Sequence, residues 1–396
     1  MSGNKIKMKK LTIIGAGPVG LETALYAKNL GFLVKVIEKG QIADNLKKWG
    51  HVTFFSPFYM NSSDLGKSIA NSDIADHECC TAKKYINYYL KPIADYLKDN
   101  LVLDTKVLQI SKKNILKGEL IGSPGRTKEQ FVILVKNKQK EYYLESDIVI
   151  DCSGVYDNPL SFGMGGLKVL NQENFENKIN SYIPDLKSKD KEKYTGKKTL
   201  LIGTGYSAAT TAQLFTDLIK KNDSTYLYWL SHNSKDKPFI EIENDILESR
   251  RNLIQSSNHI ASGNQKNIEF INNSYIENLE NYNDQIKVKY NKNGETYKLI
   301  VDQIISNVGY KPDNSIYNEL QVHECYASQG IMKLASILLS STSADCLSQN
   351  SAGADTLRNP EPNFYIIGSK SYGRNSNFIL KVGYEQIKDI FQLIQD

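Results

Sequence analysis

No apolar stretch of this 396-residue chain approaches the length of a bilayer crossing, which argues against a membrane-spanning helix. Strong charge of either sign is also missing. The net charge is +5 and spread along the chain, so no nucleic-acid partner is expected. Cysteine is sparse, with five residues widely scattered. Cys152, Cys325 and Cys346 stand alone, and no two cysteines have the two- or four-residue spacing of a redox dithiol. Cys79 and Cys80 are adjacent and read either as a strained redox ring or as two half-buried thiols. They precede Thr81, a fitting N-cap for a helix with Ile86, Tyr89, Leu90, Ile93 and Leu97 at helical spacing. His51, His77, His232, His259 and His323 are dispersed, and the His77–Cys79–Cys80 cluster lacks a second ligand pair, so no metal site is expected. No Gly-x-Ser-x-Gly elbow occurs. Tyr85, Tyr88, Tyr89 and Tyr96 read as helix-packing residues rather than a base-stacking platform.

Lys5 to Lys10 followed by an apolar run imitates a signal peptide, but Gly15 and Gly17 break that run. With an odd number of scattered cysteines, a cytoplasmic protein is expected. Charged residues are 23% and hydrophobic ones 40%, the balance of a soluble globular chain long enough for two or three domains.

What is present is a glycine fingerprint, twice. Gly15-Ala16-Gly17-Pro18-Val19-Gly20 follows the apolar run Leu11–Ile14, and Gly203-Thr204-Gly205-Tyr206-Ser207-Ala208 follows Thr199–Ile202. One such match is weak evidence, but two in strand–turn–helix context imply two bound dinucleotides and electrons passed between them. In the first copy, Gly15 allows the tight turn, Gly17 lets backbone approach a diphosphate, and Gly20 lets helix and strand pack closely. The diphosphate then rests on the positive end of the helix beginning near Pro18. The next strand, Leu33–Ile37, ends at Glu38, which is spaced to bond a ribose diol.

The second copy has Ala208 in its sixth position. Its next strand, Tyr226–Leu230, is followed by Ser231, His232, Asn233, Ser234 and Lys235, with no carboxylate. An acid there would repel a 2′-phosphate, whereas hydroxyls and cations accept one, so Ser231, His232 and Lys235 point to NADPH. The duplication extends to the strands that close each half. Asp147–Gly154 and Asp302–Gly309 are buried strands ending in glycine, each preceded by alternating strands at Phe131–Val135 and Gln285–Tyr290. The expected fold is α/β: two Rossmann-like dinucleotide-binding domains with antiparallel β excursions, and the resemblance drawn below implies the second inserted in the first.

On these residues the chain resembles, over nearly its whole length, the two-dinucleotide-binding-domain flavoproteins, and within them the flavin-containing monooxygenase branch. Asp151-Cys152-Ser153-Gly154-Val155-Tyr156 resembles the turn linking the FAD and NADPH domains. Asn307-Val308-Gly309-Tyr310-Lys311-Pro312-Asp313 resembles the return link. Met60-Asn61-Ser62-Ser63 resembles the threonine–asparagine–serine–serine segment of these monooxygenases. The resemblance implies an Asn61 near flavin and nicotinamide, able to bond the reactive peroxide. Read from local pattern alone, Asn61 is a helix cap.

The resemblance also implies that the strand Phe364–Gly368, with Ser369 and the helix carrying Gln386, closes the FAD site. The implied domains are 1–156 with 303–396 for FAD, and 157–302 for NADPH. The implied reaction is NADPH oxidation followed by oxygen transfer from a flavin C4a-hydroperoxide to a nitrogen, sulfur or carbonyl centre of a small molecule. The alternatives are an NADPH-dependent reductase or oxidase with a disulfide, quinone or oxygen acceptor, and a nucleotide-binding protein without catalysis. Some positions depart from the family pattern. Ser369 stands where many relatives have aspartate, and Ala43-Asp44-Asn45 replaces a double glycine. Asn174–Tyr182 lacks the histidine of a family signature, and Val19 stands where some thiol reductases have cysteine.

Overall fold

Leu11–Ile14 and Leu200–Ile202 are apolar on both faces, as strands covered by helices on both sides must be. Each becomes the middle of a five-stranded parallel sheet in a computed structural model that describes residues 8–340 and 351–395. Lys5 and Cys346 lie outside the described residues. The chain divides into two compact units, Met1–Asn158 with Lys311–Asp396, and Pro159–Tyr310.

The first unit contains β1 (Lys10–Ile14), β2 (Leu33–Ile37), β3 (Leu101–Val102), β4 (Lys106–Lys112), β5 (Phe131–Lys136), β6 (Glu141–Ser146) and β7 (Ile148–Asp151). The second unit contains β8 (Ile179–Asn180), β9 (Lys198–Ile202), β10 (Tyr226–Leu230), β11 (Ile268–Ile271), β12 (Ser274–Tyr282), β13 (Gln285–Lys292), β14 (Glu295–Val301) and β15 (Gln303–Ser306). The chain then returns to the first unit for β16 (Phe364–Ile366). The parallel sheets run β16-β7-β1-β2-β3 and β11-β10-β9-β15-β8, and the excursions are antiparallel sheets β4-β5-β6 and β12-β13-β14.

The two halves repeat each other down to single hydrogen bonds. The Lys10 amide donates to Asp147 Oδ2 at 2.7 Å, and the Lys198 amide to Asp302 Oδ2 at 2.8 Å. Gln130 and Gln285 hold the other oxygen of those aspartates at 2.6 and 3.1 Å. Both excursions carry a register shift in their first pairing, between Val107 and Gln109 and between Ile276 and Asn278. Such matched irregularity marks a structural repeat rather than two unrelated α/β units.

β15 pairs in parallel with β9, so it completes the second sheet, and the chain leaves the second unit after Tyr310 rather than at 303. The outward crossing falls after Asn158, close to the expected 156.

Candidate functional sites

In the first unit, the turn after β1 is built around glycines that packing makes obligatory. Gly15 has φ +99, and a Cβ there would lie 2.9 Å from the Cys152 carbonyl oxygen. On Gly20 a Cβ would lie 2.0 Å from the Gly15 carbonyl oxygen. Gly17 differs, because a Cβ there would meet nothing within 4 Å. Its bareness serves no internal packing and leaves the backbone open to an approaching group. The helix Pro18–Asn29 begins here with no side-chain cap, so its first-turn N–H groups remain available to an anion. Pro18, at the first helical position, removes the one donor least useful for that purpose.

Glu38 is held beside this turn. Its Oε2 accepts from the Ala16 amide at 2.8 Å and its Oε1 from the Gly40 amide at 3.0 Å. Each carboxylate oxygen retains acceptor capacity for a diol. Gly154 has φ +71, and a Cβ on it would lie 3.5 Å from Ser369 Oγ, so the turns after β7 and β16 sit side by side. Gln386 does not face outward. It is fully buried, its Oε1 accepts from the Gly368 amide at 2.8 Å, and its Nε2 donates to Ser371 Oγ at 3.0 Å. It therefore positions the Gly368 turn.

The second unit repeats the turn. Gly203 has φ +123, and a Cβ there would collide with the Asn307 carbonyl oxygen at 2.2 Å. Gly205, like Gly17, would meet nothing, and the helix Tyr206–Lys221 is likewise uncapped. Ser207 is exposed on its first turn and Ala208 is buried. Gly309 has φ +94 in the closing turn. Instead of a carboxylate, an indole braces this loop: Trp229 Nε1 donates to the Gly203 carbonyl at 2.7 Å. Ser231 occupies the place of Glu38, its amide bonded to the neighbouring strand just as Glu38's is. The Ser231 side chain is buried and its Oγ accepts from the Asn233 amide at 3.0 Å. It shapes the loop, while His232 and Lys235 are exposed on it. Of the three expected 2′-phosphate contacts, only those two present side chains outward.

Asn61 is not the helix cap that its local pattern suggests. Ser63 caps the helix Asp64–Ala70, its Oγ accepting from the Gly66 amide at 2.8 Å. Asn61 is buried, and its amide nitrogen donates to the Ser56 and Pro57 carbonyls at 3.0 and 3.2 Å. Both amide hydrogens are thus committed to the local chain. Its own carbonyl accepts from Tyr85 at 2.6 Å and Tyr384 at 3.0 Å. Tyr85 precedes and Tyr89 lies within a single π-helical turn, Ile86–Leu90, and their rings stack 5.2 Å apart.

Two buried charged groups escape sequence reading. Glu22 sits in the first-unit helix with Tyr89 and Ser63 hydroxyls on its two oxygens, and burial pushes its carboxyl above the ordinary range despite those bonds. Lys370 donates to Asp151 Oδ2 at 2.6 Å and Ser153 Oγ at 3.1 Å, with both charged side chains buried. The available signals are faint: a glutamate among the buried residues of the first helix, and an aspartate closing an otherwise apolar strand.

Among the described residues no group of His, Cys, Asp and Glu could hold a metal, and no helix is long and apolar enough to cross a membrane. Four described cysteines are free. Burial pushes Cys80 up to about 11 and raises Cys152 further still.

A family model described as pyridine nucleotide-disulphide oxidoreductase matches residues 12–335. No curated protein matches the sequence. Among solved structures, the chain is similar to the bacillithiol disulfide reductase of Bacillus cereus, at 18% identity and TM-score 0.69, covering 98% of this chain and 99% of that one. It is also similar to the ornithine N-hydroxylase of Kutzneria, solved with reduced FAD, NADP⁺ and L-ornithine, at 12% identity and TM-score 0.65, with the same two coverages. The thioredoxin reductase of T. acidophilum aligns at 17% identity and TM-score 0.60 over 98% of this chain and 99% of that one.

Proposed function

Because the chain belongs to the pyridine nucleotide-disulphide oxidoreductase family, we propose that it is a FAD-dependent, NADPH-oxidising oxidoreductase, with FAD on the first unit and NADPH on the second. One observation carries the assignment of the two nucleotides: the same place holds a tethered carboxylate, Glu38, in one half and Ser231 in the other. A carboxylate suits a free ribose diol and repels a 2′-phosphate, while His232 and Lys235 would attract one. When bound, the flavin accepts a hydride and passes electrons to a second substrate. The chain's own part is binding and orientation. Gly17 and Gly205 leave backbone exposed to the diphosphates, two uncapped helix termini supply N–H donors, and Glu38 fixes one ribose.

The acceptor we propose is molecular oxygen, with one oxygen atom delivered to a small-molecule nitrogen, sulfur or carbonyl centre. Support comes from thiol chemistry that the site does not provide: Val19 stands in the fingerprint, and Cys152 is a buried thiol held in its neutral form. The second reading is disulfide reduction, favoured by Cys79 and Cys80. Their segment pairs with Val52–Tyr59, the stretch that leads into Asn61. NADPH consumption, oxygen uptake and peroxide release, followed together with amines, sulfides, ketones and low-molecular-weight disulfides, test both. Coupled oxygen and NADPH use only with an oxidisable substrate supports oxygenation. Thiol production that disappears in Cys79→Ser or Cys80→Ser overturns it in favour of disulfide reduction.

A further inference from the structure

In open parallel sheets, ligands bind beyond the carboxyl ends of the strands, where the strand order reverses. In the first unit the order β16-β7-β1-β2-β3 places that point between β7 and β1. Asp151, the last residue of β7, pairs in register with Ile14 of β1 and Ile366 of β16, so its carboxylate belongs to the floor of that crevice.

A buried ion pair is a costly way to fill such a floor. Apolar residues of similar volume generally serve as well or better, so packing alone does not call for one. The pair has a definite output, however. Of the three ammonium hydrogens on Lys370, one goes to Asp151 and one to Ser153 Oγ, while the ammonium also sits 5.1 Å from the Tyr317 ring centre. Asp151 Oδ1 accepts the Ser153 amide at 3.0 Å. Ser153 is thus gripped at both its nitrogen and its oxygen. Because Oγ accepts from a cation, its own hydrogen is directed elsewhere, and donation from a charged group strengthens the next bond in a chain. Among the described residues nothing accepts that hydrogen. The next residue is Gly154, in the turn shared with Ser369.

We propose that the Ser153 hydroxyl, polarised by the Lys370–Asp151 pair, donates a hydrogen bond to a sugar-alcohol or diphosphate oxygen of the flavin dinucleotide. This rests on the reading that the first unit binds FAD. Ser153 is the binding residue, and Lys370 and Asp151 are positioning residues that act through it.

The test is the FAD dissociation constant, measured by titrating FAD into protein stripped of it and following flavin fluorescence. Ser153→Ala should weaken FAD about tenfold, the loss of one good hydrogen bond. Ser153→Thr, which keeps a hydroxyl, should restore affinity to within about threefold. Asp151→Leu with Lys370→Met replaces the pair by apolar volume and leaves the hydroxyl unpolarised, so affinity should fall between the two. NADPH affinity should stay unchanged in all three. Wild-type FAD affinity in Ser153→Ala overturns the proposal, and that single variant decides if the double one does not fold. Wild-type protein that takes up no FAD overturns the underlying reading instead.

Discussion

The two halves of this molecule solve one problem with the same backbone and different side chains. Each presents a glycine turn after a central strand, with an uncapped helix behind it. In the first half the turn is braced by a half-buried carboxylate, so brace and proposed ligand contact are one residue, Glu38. In the second the brace is Trp229, buried beneath the turn, and the exposed loop is free to carry other chemistry. Separating support from recognition lets specificity change without loosening the fold. The first half has no such freedom.

The largest expected break in this symmetry lies at the sixth fingerprint position. Gly20→Ala would place a methyl 2.0 Å from the Gly15 carbonyl, yet the second half carries Ala208 at the same place. Gly20→Ala should therefore cost about 3 kcal/mol of stability and most FAD retention, as overpacking does. Ala208→Gly should cost under about 1 kcal/mol. Thermal unfolding of the two variants side by side checks this, and equal losses would mean the helices sit equally close to their turns.

Next in size is the exchange of recognition. Glu38→Ala should weaken FAD by about 1.5–3 kcal/mol, since bonds to a charged group are lost. The same variant should lower thermal stability as well, because the Ala16 and Gly40 amides lose their acceptor. Ser231→Glu should reduce the preference for NADPH over NADH about tenfold, a change of about 1.4 kcal/mol, and should also lower the melting temperature, because the buried Ser231 Oγ accepts from the Asn233 amide. Steady-state kinetics with both coenzymes separates these outcomes. An unchanged coenzyme ratio would show that the Ser231–Lys235 loop does not read the 2′-phosphate.

A smaller contrast depends on pH. Glu22 occupies the first helix where the second has Thr210, at equal distance from each fingerprint's first glycine. Burial holds the Glu22 carboxyl above its ordinary range. Between the unfolded value, about 4.3, and the raised native one, the native state keeps a proton that the unfolded chain has lost. Stability therefore falls as pH rises through that interval, and the deficit is complete above it. Glu22→Gln should remove the slope. Its melting temperature relative to wild type should climb from pH 5 to pH 8, and a difference that does not vary with pH sinks the argument.

The smallest expected effect is a gain. Ala43 adopts φ +54 while its amide donates to the Ala16 carbonyl at 3.0 Å. A left-handed alanine costs about 1–2 kcal/mol, offset in part by glycine's extra unfolded freedom. Ala43→Gly should raise stability by about 0.5–1 kcal/mol, measured by denaturant midpoint at constant slope.

The sequence carried the halves, their turns and Glu38 because those are local: glycine spacing, a strand's apolar run, an acid at its end. It carried the matching strand ends, Asp147–Gly154 and Asp302–Gly309, for the same reason. Asn61 was harder to read, because its amide is consumed by Ser56 and Pro57 in a fold-back of the chain that no motif encodes. Lys370 was hidden more deeply, since its partner lies 219 positions away. Gln386 is hidden in a similar way, since the Gly368 amide it accepts from lies 18 positions back.

The first unit is assembled from two stretches of chain, and this has a consequence during synthesis. On the ribosome β7 emerges long before β16, and until then it offers an unpaired edge. The inserted unit is continuous and can fold while the last strand is still unmade. Its ends are already tied, with the Leu160 amide bonded to the Gly309 carbonyl at 2.9 Å and the Lys311 amide to the Asn158 carbonyl at 2.9 Å. Closing a loop costs more as it lengthens. A folded insert shortens the free loop between β7 and β16 to the residues outside it. Arg126 can then find Glu361, 235 positions further on, across a far smaller search than the sequence separation implies. The insert thus serves the nascent chain as a clasp before it serves the finished protein as a domain.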